Sequence, residues 1–261
     1  MQERENALAN LDSAWVTCMR AFAAGSSGRV HEYPDSVLIE NEVSFPVFSG
    51  VMRARLAADD APERAAELKR KFGSTHHNWI VNPLATPANL TDILESMGGH
   101  TVVTLLGMSM RLDELAPAPP LPDGIVFRRP ESADEAREYA RVIAVLFGAP
   151  LEGWVDQLAE VEAELFESGR GAWLRNIAVA DGQIVAAAGF TMTDGVVALQ
   201  TFSTLPEWRN RGIGAAMATA ELLRSRDEGC HSSVVWANPE ARTLYERMGY
   251  REVCTGDVIV F

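Results

Sequence analysis

The chain has few of the residues that would suit it to metals, disulfides or membranes. Its 261 residues include only three cysteines, Cys18, Cys230 and Cys254. They lie far apart and form no C-x-x-C pair, which excludes a cysteine zinc knuckle or redox dithiol and fits a reducing compartment. The five histidines show no ligand spacing. His76 and His77 are sequence neighbours that would chelate one ion poorly and read as solvated or capping groups, while His31, His100 and His231 stand apart. No metal site is expected. No apolar run reaches the roughly 18 residues of a membrane-spanning helix. The opening Met1-Gln-Glu-Arg-Glu5 does not read as a signal peptide, so a cytoplasmic location is expected. Positive charge is scarce too, with 23 basic residues against 36 acidic ones and a net charge of −13. Such a surface repels nucleic acid and anionic membranes and leans toward a cationic partner such as an amine. The six tryptophans are scattered, which suits cores better than a base-stacking platform.

What remains is an ordinary globular composition, 47% hydrophobic with mean hydropathy −0.03. A chain of this length buries one large core or, more commonly, two modest ones. The sharpest composition break is the Pro-rich tract from Ala116 to Gly124, which fits a stiff linker. It divides the chain into residues 1–115, a linker 116–124, and residues 125–261.

The second part reads as strand 125–129, helices 132–147 and 152–168, and strands 173–180, 184–193 and 196–205. Helix 211–228, strand 233–237, helix 239–248 and a final strand pair within 250–261 follow. Ser132-Ala-Asp-Glu135 is a capping box, and Asp181-Gly182 and Asp194-Gly195 are hairpin turns. Ile213, Met217, Ala220 and Leu223 form one apolar stripe, and Ala241, Leu244, Tyr245 and Met248 another. The first part repeats this order more faintly. A helix spans 11–24, β-rich runs cover 29–33, 36–42 and 46–56, and helix 62–72, strand 78–82, helix 87–97 and strands within 101–112 follow. Trp79-Ile-Val-Asn82-Pro83 echoes Val235-Trp-Ala-Asn238-Pro239, which suggests an internal duplication.

The densest chemistry lies between Thr204 and Met217. A strand end turns through Arg209-Asn-Arg-Gly212-Ile-Gly214-Ala215 straight into a helix. Such a corner offers unpaired backbone N–H groups and the positive end of a helix dipole, with glycines that let an anion approach. It reads as a receptor for a phosphate or diphosphate.

Taken with the later residues, this part resembles the GCN5-related N-acetyltransferase (GNAT) superfamily. Arg209-x-x-Gly212-x-Gly214 meets the family pattern Q/R-x-x-G-x-G/A. Asn238, Ala241, Leu244, Tyr245, Gly249 and Tyr250 meet its later N-x-x-A-x-x-L-Y-x-x-x-G-F/Y pattern. The resemblance spans about 135 residues. It implies an α+β fold, a mixed, mostly antiparallel central sheet with helices on both faces, the acyl-CoA N-acyltransferase fold, here duplicated. It implies acetyl-CoA as cosubstrate, with Phe202, Ser203 and Thr204 pairing with the pantetheine arm. The amides of Arg209, Asn210, Arg211, Gly212, Ile213, Gly214 and Ala215 would hold the pyrophosphate, with Asn238 and Ala241 close to the arm. The first part resembles a degenerate copy. Its matching corner, Arg55-Leu-Ala-Ala-Asp59-Asp60-Ala-Pro62, has no glycine, and Asp59 or Asp60 would cap the helix there instead. Tandem proteins with one silent domain are known, and this chain looks similar to them.

Acetyl transfer needs a polarised carbonyl, a proton for the departing thiolate and a neutral amine. A main-chain N–H near Thr204 would serve the carbonyl. Alone, Tyr245 reads equally as a packed aromatic. Beside Asn238 and the glycine loop it reads as the general acid. No base can be placed: the strand 196–204 has no carboxylate, Gln200 could only orient a water, and Glu207 and Asp194 read as solvated charges. Cys230 and Cys254 read as packed thiols. Phe45-Pro-Val-Phe48-Ser-Gly50 could line an acceptor pocket but reads better as a bent core strand. A dinucleotide site is disfavoured because Met217 replaces the third glycine and no acid ends the next strand. An acyl-CoA sensor without turnover remains the alternative. The expected acceptor is a primary amine of a small molecule or peptide, with a lean toward a cationic one, and the expected assembly a monomer or homodimer.

Overall fold

Period-two burial along the strands sorts the helices into two layers on opposite faces of a single sheet. The computed structural model describes residues 2–115, 117, 119–120, 122–148, 153–169 and 173–261. Its first half contains α1 (Gln2–Phe22), β1 (Arg29–Tyr33), β2 (Ser36–Glu40), β3 (Gly50–Met52), α2 (Ala61–Lys71), β4 (Asn78–Val81), α3 (Leu90–Ser96) and β5 (His100–Arg111). The second contains β6 (Ile125–Arg128), α4 (Ala133–Ala144), α5 (Trp154–Ser168), β7 (Trp173–Ala180), β8 (Gln183–Thr193) and β9 (Val196–Thr204). After these come α6 (Ile213–Asp227), β10 (Ser232–Ala237), α7 (Arg242–Met248) and β11 (Arg251–Val260). Leu199 and Val235 face α6, whereas Ala198 and Val234 pack with Leu11 of α1. Trp79 and Ile259 face α2 and α3, while Ile80 and Val258 meet Val16 and Met19 of α1. Helices α1, α4 and α5 thus cover one face, and α2, α3, α6 and α7 the other.

The strand order is β1-β2-β3-β4-β11-β5-β10-β9-β8-β7-β6. Among the described residues only β3–β4 and β9–β10 pair in parallel. The two halves have exchanged their last strands. β5 of the first half lies between β11 and β10, and β11 of the second lies between β4 and β5. This corrects the expectation of a strand pair within 250–261 and of several strands within 101–112. Each is one long strand, because neither Gly256 nor Gly107 makes a turn. A Cβ on Gly256 would lie 2.8 Å from the Trp236 ring, and one on Gly107 would lie 2.7 Å from Cys254 Sγ, so both glycines admit bulky neighbours across the exchanged sheet.

Other departures have local causes. Residues 46–56 are not a strand: Pro46–Phe48 form a 3-10 turn ahead of the short β3. Residues 239–248 split into a 3-10 turn and α7, and Leu244 is 42% exposed rather than on the buried face. In α6, Leu222 is buried where Ala220 was expected. Helix α1 begins well before residue 11. Asp181 and Asp194 adopt φ of 50° and 51° ahead of their glycines, as the hairpin turns require. Ser132 caps α4 by accepting from the Glu135 amide, while the Glu135 carboxylate reaches the Glu131 amide instead of closing the reciprocal bond. Part of the expected linker, residues 116, 118 and 121, lies outside the described residues.

Candidate active site

The site begins where two parallel strands part. β9 and β10 stay in register only from Val196↔Ser232 to Leu199↔Val235. The next residue, Gln200, is an extra one in the β8–β9 ladder, where Gly189 opposes Thr201 and Phe190 opposes Leu199. A bulge bends the strand and sharpens its twist, so β9 leans away from β10 from this point. Phe202, Ser203 and Thr204 remain paired with β8 on one side and have no strand partner on the other. Phe202 packs edge-on against Phe190, and the buried Ser203 hydroxyl has no hydrogen-bond partner. The Thr204 carbonyl accepts from Arg209 Nε at 3.0 Å.

Pro206–Trp208 form a 3-10 turn, Asn210 and Gly212 take left-handed φ of 61° and 78°, and α6 starts at Ile213. The Arg209 amide donates to Pro206, so it is not among the free donors, contrary to the expectation for that residue. The amides of Asn210, Arg211, Gly212, Ile213, Gly214 and Ala215 have no acceptor among the described residues, and Ala216 makes the first helical bond to Gly212. A Cβ placed on Gly214 would meet nothing within 4 Å. Arg209 and Arg211 are exposed and form no ion pair among the described residues. Arg211 lies 4.6 Å from the Trp208 ring centroid. Arg209 Nε donates to the Thr204 carbonyl and Arg211 Nη2 to the Glu207 carbonyl at 2.9 Å, so neither charge is neutralised. Six unpaired amides with two cations and open space at Gly214 make a corner that a diphosphate would fit.

The corresponding corner of the first half is closed. After β3, the Leu56 amide donates to the Thr86 carbonyl and the Thr86 amide to the Ala54 carbonyl, each at 3.0 Å. The chain's own backbone therefore takes the edge that β9 leaves open. Asp12, from α1, binds Arg53 at 2.9 Å, Arg55 at 3.3 Å and Asn82 at 2.8 Å, which occupies the local cations. Asp60 stands at the N-cap of α2 but makes no side-chain capping bond, which corrects that expectation.

Asn238 is exposed beyond the end of β10, and its carbonyl accepts from the half-buried Ala241 amide at 2.9 Å. Tyr245 on α7 is 8% exposed, with its ring edge-on to Tyr250 at 5.5 Å. Burial pushes its phenol up to about 12, so it holds its proton throughout the neutral range.

A cavity of about 480 Å³ opens from the parting strands onto the α1 side of the sheet. Gln200, Thr201, Trp236 and Asn238 line it from the second half. Trp15, Cys18 and Phe22 of α1, Phe45–Phe48, and Val102 and Val103 of β5 close it from the first. The Phe45–Phe48 run therefore lines the cavity as a 3-10 turn, not as a bent core strand. Phe45 stacks on Trp154 at 4.4 Å, and Phe48 meets Phe22 edge-on at 5.0 Å. Two second-half side chains tie α1 down: Trp236 Nε1 donates to the Leu11 carbonyl and Gln200 Nε2 to the Ala14 carbonyl. The second bond, with one to Thr191 Oγ1, uses the amide N–H₂ of Gln200. Nothing local marks α1, Val102 or Val103 as cavity residues: α1 is held there by Gln200 and Trp236, and Val102 and Val103 arrive on the exchanged β5.

No Asp, Glu, His, Lys or Arg lines this cavity among the described residues, so the acidic surface does not extend into it. Glu207 and Asp194 are exposed. Cys18 is the one titratable group among the described lining residues, and burial, helped by the nearby Glu162 charge, pushes its thiol well above the usual range. Glu162 itself pairs with Arg175 in the interior. Tyr139 lies with its hydroxyl 3.5 Å from Thr201 Oγ1. Cys230 and Cys254 are buried free thiols. His77 is not solvated. It is buried, stacked between Phe72 and Phe261, and burial lowers its pKa. No cluster of potential metal ligands occurs among the described residues, and no helix there is long and apolar enough to cross a membrane.

The model of the acetyltransferase (GNAT) family matches residues 139–250, from Tyr139 on α4 to Tyr250 after α7. That segment is similar to a GNAT domain. A GCN5-related N-acetyltransferase from Kribbella flavida superposes with a TM-score of 0.67 at 17% identity, over 94% of this chain and 93% of that one. A tandem GNAT protein from the clavulanic acid biosynthesis pathway, solved without AcCoA, gives 0.61 at 14% identity, over 97% and 87%. A GCN5-related N-acetyltransferase from Sphaerobacter thermophilus gives 0.59 at 18%, over 87% and 80%. At these identities the likeness establishes the fold, and it extends well beyond the GNAT match into the first half. The chain has the acyl-CoA N-acyltransferase fold. No curated protein matches it significantly.

Proposed function

We propose that the protein is an N-acetyltransferase that moves an acetyl group from acetyl-CoA to a primary amine by direct attack on the thioester. One observation carries this reading: six amides at the start of α6, unpaired among the described residues, stand beside the edge of β9 that no described strand fills, while the matching edge of the first half is filled by Thr86. The second half, residues 125–261, then holds the cosubstrate, and residues 1–115 bind none.

Acetyl-CoA, when bound, supplies the acyl group already activated as a thioester. The amides of Asn210–Ala215 would hold its pyrophosphate, with Arg209 and Arg211 adding charge. The open edge of Phe202–Thr204 would pair with the pantetheine amides as an added strand, with Asn238 and Ala241 on the opposite side. Carbonyl polarisation falls to a main-chain N–H at the bulge, Gln200 or Thr201, because these residues face the cavity and Thr204 does not. Tyr245, on α7 and outside the cavity lining, holds its proton and would donate the one that the departing sulfur needs. Cys18 is not a nucleophile, since its thiol stays protonated.

The test is a calorimetric titration with acetyl-CoA, followed by measurement of free thiol with a panel of amines. Absence of binding sinks the reading. Binding without thiol release for any amine favours the acyl-CoA sensor.

A further inference from the structure

We propose that the acceptor is a weakly basic amine on an apolar body, an arylamine, which enters the cavity already uncharged. This rests on the acetyl-transfer reading and narrows it to a substrate class. The cavity of about 480 Å³ is far larger than an acetyl group needs, and its walls are aromatic and aliphatic. Its polar groups at the strand split, Gln200, Thr201 and Asn238, are all neutral. An ammonium ion placed there would lose its hydration and meet no opposite charge among the described lining residues. A Lys-like amine titrates about three units above neutral pH, so binding it uncharged costs about 4 kcal/mol, or about a thousandfold in affinity. An arylamine avoids that cost, because delocalisation of its lone pair into the ring leaves it neutral in water.

The same idea accounts for the missing base. Cys18 stays protonated, and Glu162, beyond the lining, is paired with Arg175. Tyr139 is likewise held protonated by burial. Among the described residues no side chain at the cavity can strip an ammonium ion, and a neutral amine needs none stripped. In the step, the amine lone pair forms the C–N bond and the C–S bond breaks. The nitrogen then loses one proton to water, and the sulfur takes one from Tyr245, which water replenishes. The products are an N-aryl acetamide and free CoA thiol, with no oxidant or further reactant.

The experiment compares two isomers, 4-propylaniline and 3-phenylpropylamine, with butane-1,4-diamine as a cationic reference, on the full chain with acetyl-CoA. Binding of each amine is measured by calorimetry in the presence of CoA, and turnover by thiol release. At pH 7 the aniline should bind at least about a hundredfold more tightly than its isomer, with the gap closing about tenfold per pH unit. Its turnover should stay flat from about pH 6 to about pH 9. Equal binding of the isomers, or preference for the diamine, overturns the proposal. So does a tenfold preference for decanoyl-CoA over acetyl-CoA with the same aniline, which would give the cavity to an acyl tail. Val102 is 59% exposed at the rim, so Val102→Asp should fold normally. It should weaken aniline binding about tenfold and improve diamine binding, and no change in either overturns the proposal. Failure of acetyl-CoA itself to bind, or binding without thiol release from any amine, is a separate result that removes the underlying transfer reading.

Discussion

Gly214→Ala separates what the fold needs from what a diphosphate needs. Gly214 is the second residue of α6, has an ordinary helical φ, and would present its new Cβ to open space. Nothing in the folded chain opposes the methyl group. Alanine in a helix is favoured over glycine by roughly 0.5–1 kcal/mol, and the first turn should realise about half of that. For a protein of this size, about 0.5 kcal/mol raises Tm by roughly 1–2 °C. The same methyl group would stand beside the free amides of Gly214 and Ala215 at the start of α6, where it would hold an anion away from them. Affinity for acetyl-CoA should fall at least tenfold, about 1.4 kcal/mol. Gly212→Ala is the matched control. Its φ of 78° disfavours any Cβ, so it should cost roughly 1–2 kcal/mol of stability and also weaken binding. Calorimetry for Kd and differential scanning for Tm read both quantities on the same samples. A Gly214→Ala protein that is more stable and binds acetyl-CoA unchanged would refute the placement of the pyrophosphate.

Tyr245→Phe removes one oxygen from a ring held by Tyr250, so acetyl-CoA Kd and Tm should hold while kcat falls at least about tenfold; an unchanged kcat removes Tyr245 from the chemistry. Burial raises the phenol pKa of Tyr139, Tyr245 and Tyr250 above the unfolded value near 10. Their stabilising contribution is therefore complete below about pH 10 and is lost as pH climbs toward the folded values. In a spectrophotometric titration these three phenols should ionise only together with unfolding above about pH 10, and their ionisation in a folded protein near pH 10 contradicts the burial argument. Residues 125–261 expressed alone leave β10 without β5 and β11 without β4 and β5. That fragment should be insoluble or unfolded by circular dichroism and be rescued by co-expression with residues 1–124; a folded monomer binding acetyl-CoA as the full chain does would refute the interlocked sheet.

The parts of this architecture that were legible in the sequence are the local ones. Turn residues with left-handed φ fixed the β7–β8 and β8–β9 hairpins, and the glycine loop marked the start of α6 because its signal is its own backbone chemistry. What escaped depends on partners distant in sequence. Arg251–Val260 has the composition of a strand pair folded about Gly256, and nothing local reveals that β4 and β5 are waiting on either side. The Phe45–Phe48 run carries the same apolar signature in a core and in a cavity wall, and only the position of α1 and α5 decides between them. Leu244 sits on the helical period yet faces out, since α7 is too short to bury a full stripe. His77 is buried rather than solvated for a related reason: Phe261, at the far end of the chain, stacks on it.

The strand exchange gives a physical reason for a half with a closed diphosphate corner to persist. If the halves were joined only by the Pro-rich tract, losing the first would cost tethering and little else. Here its loss would strip β10 of a neighbour and β11 of both neighbours, and each unpaired strand edge exposes a row of unsatisfied backbone groups. It would also remove α1, on which Gln200 and Trp236 anchor at the point where β9 bends away from β10. The geometry of the parting strands is therefore held from one side by the half that has none to offer. On the proposed reading the first half binds no cosubstrate of its own, and Phe45, Phe48, Val102 and Val103 can change the shape of the cavity without touching the loop at Arg209–Ala215. On this reading the second half sets which acyl donor is bound, and the first half sets which acceptor can reach it.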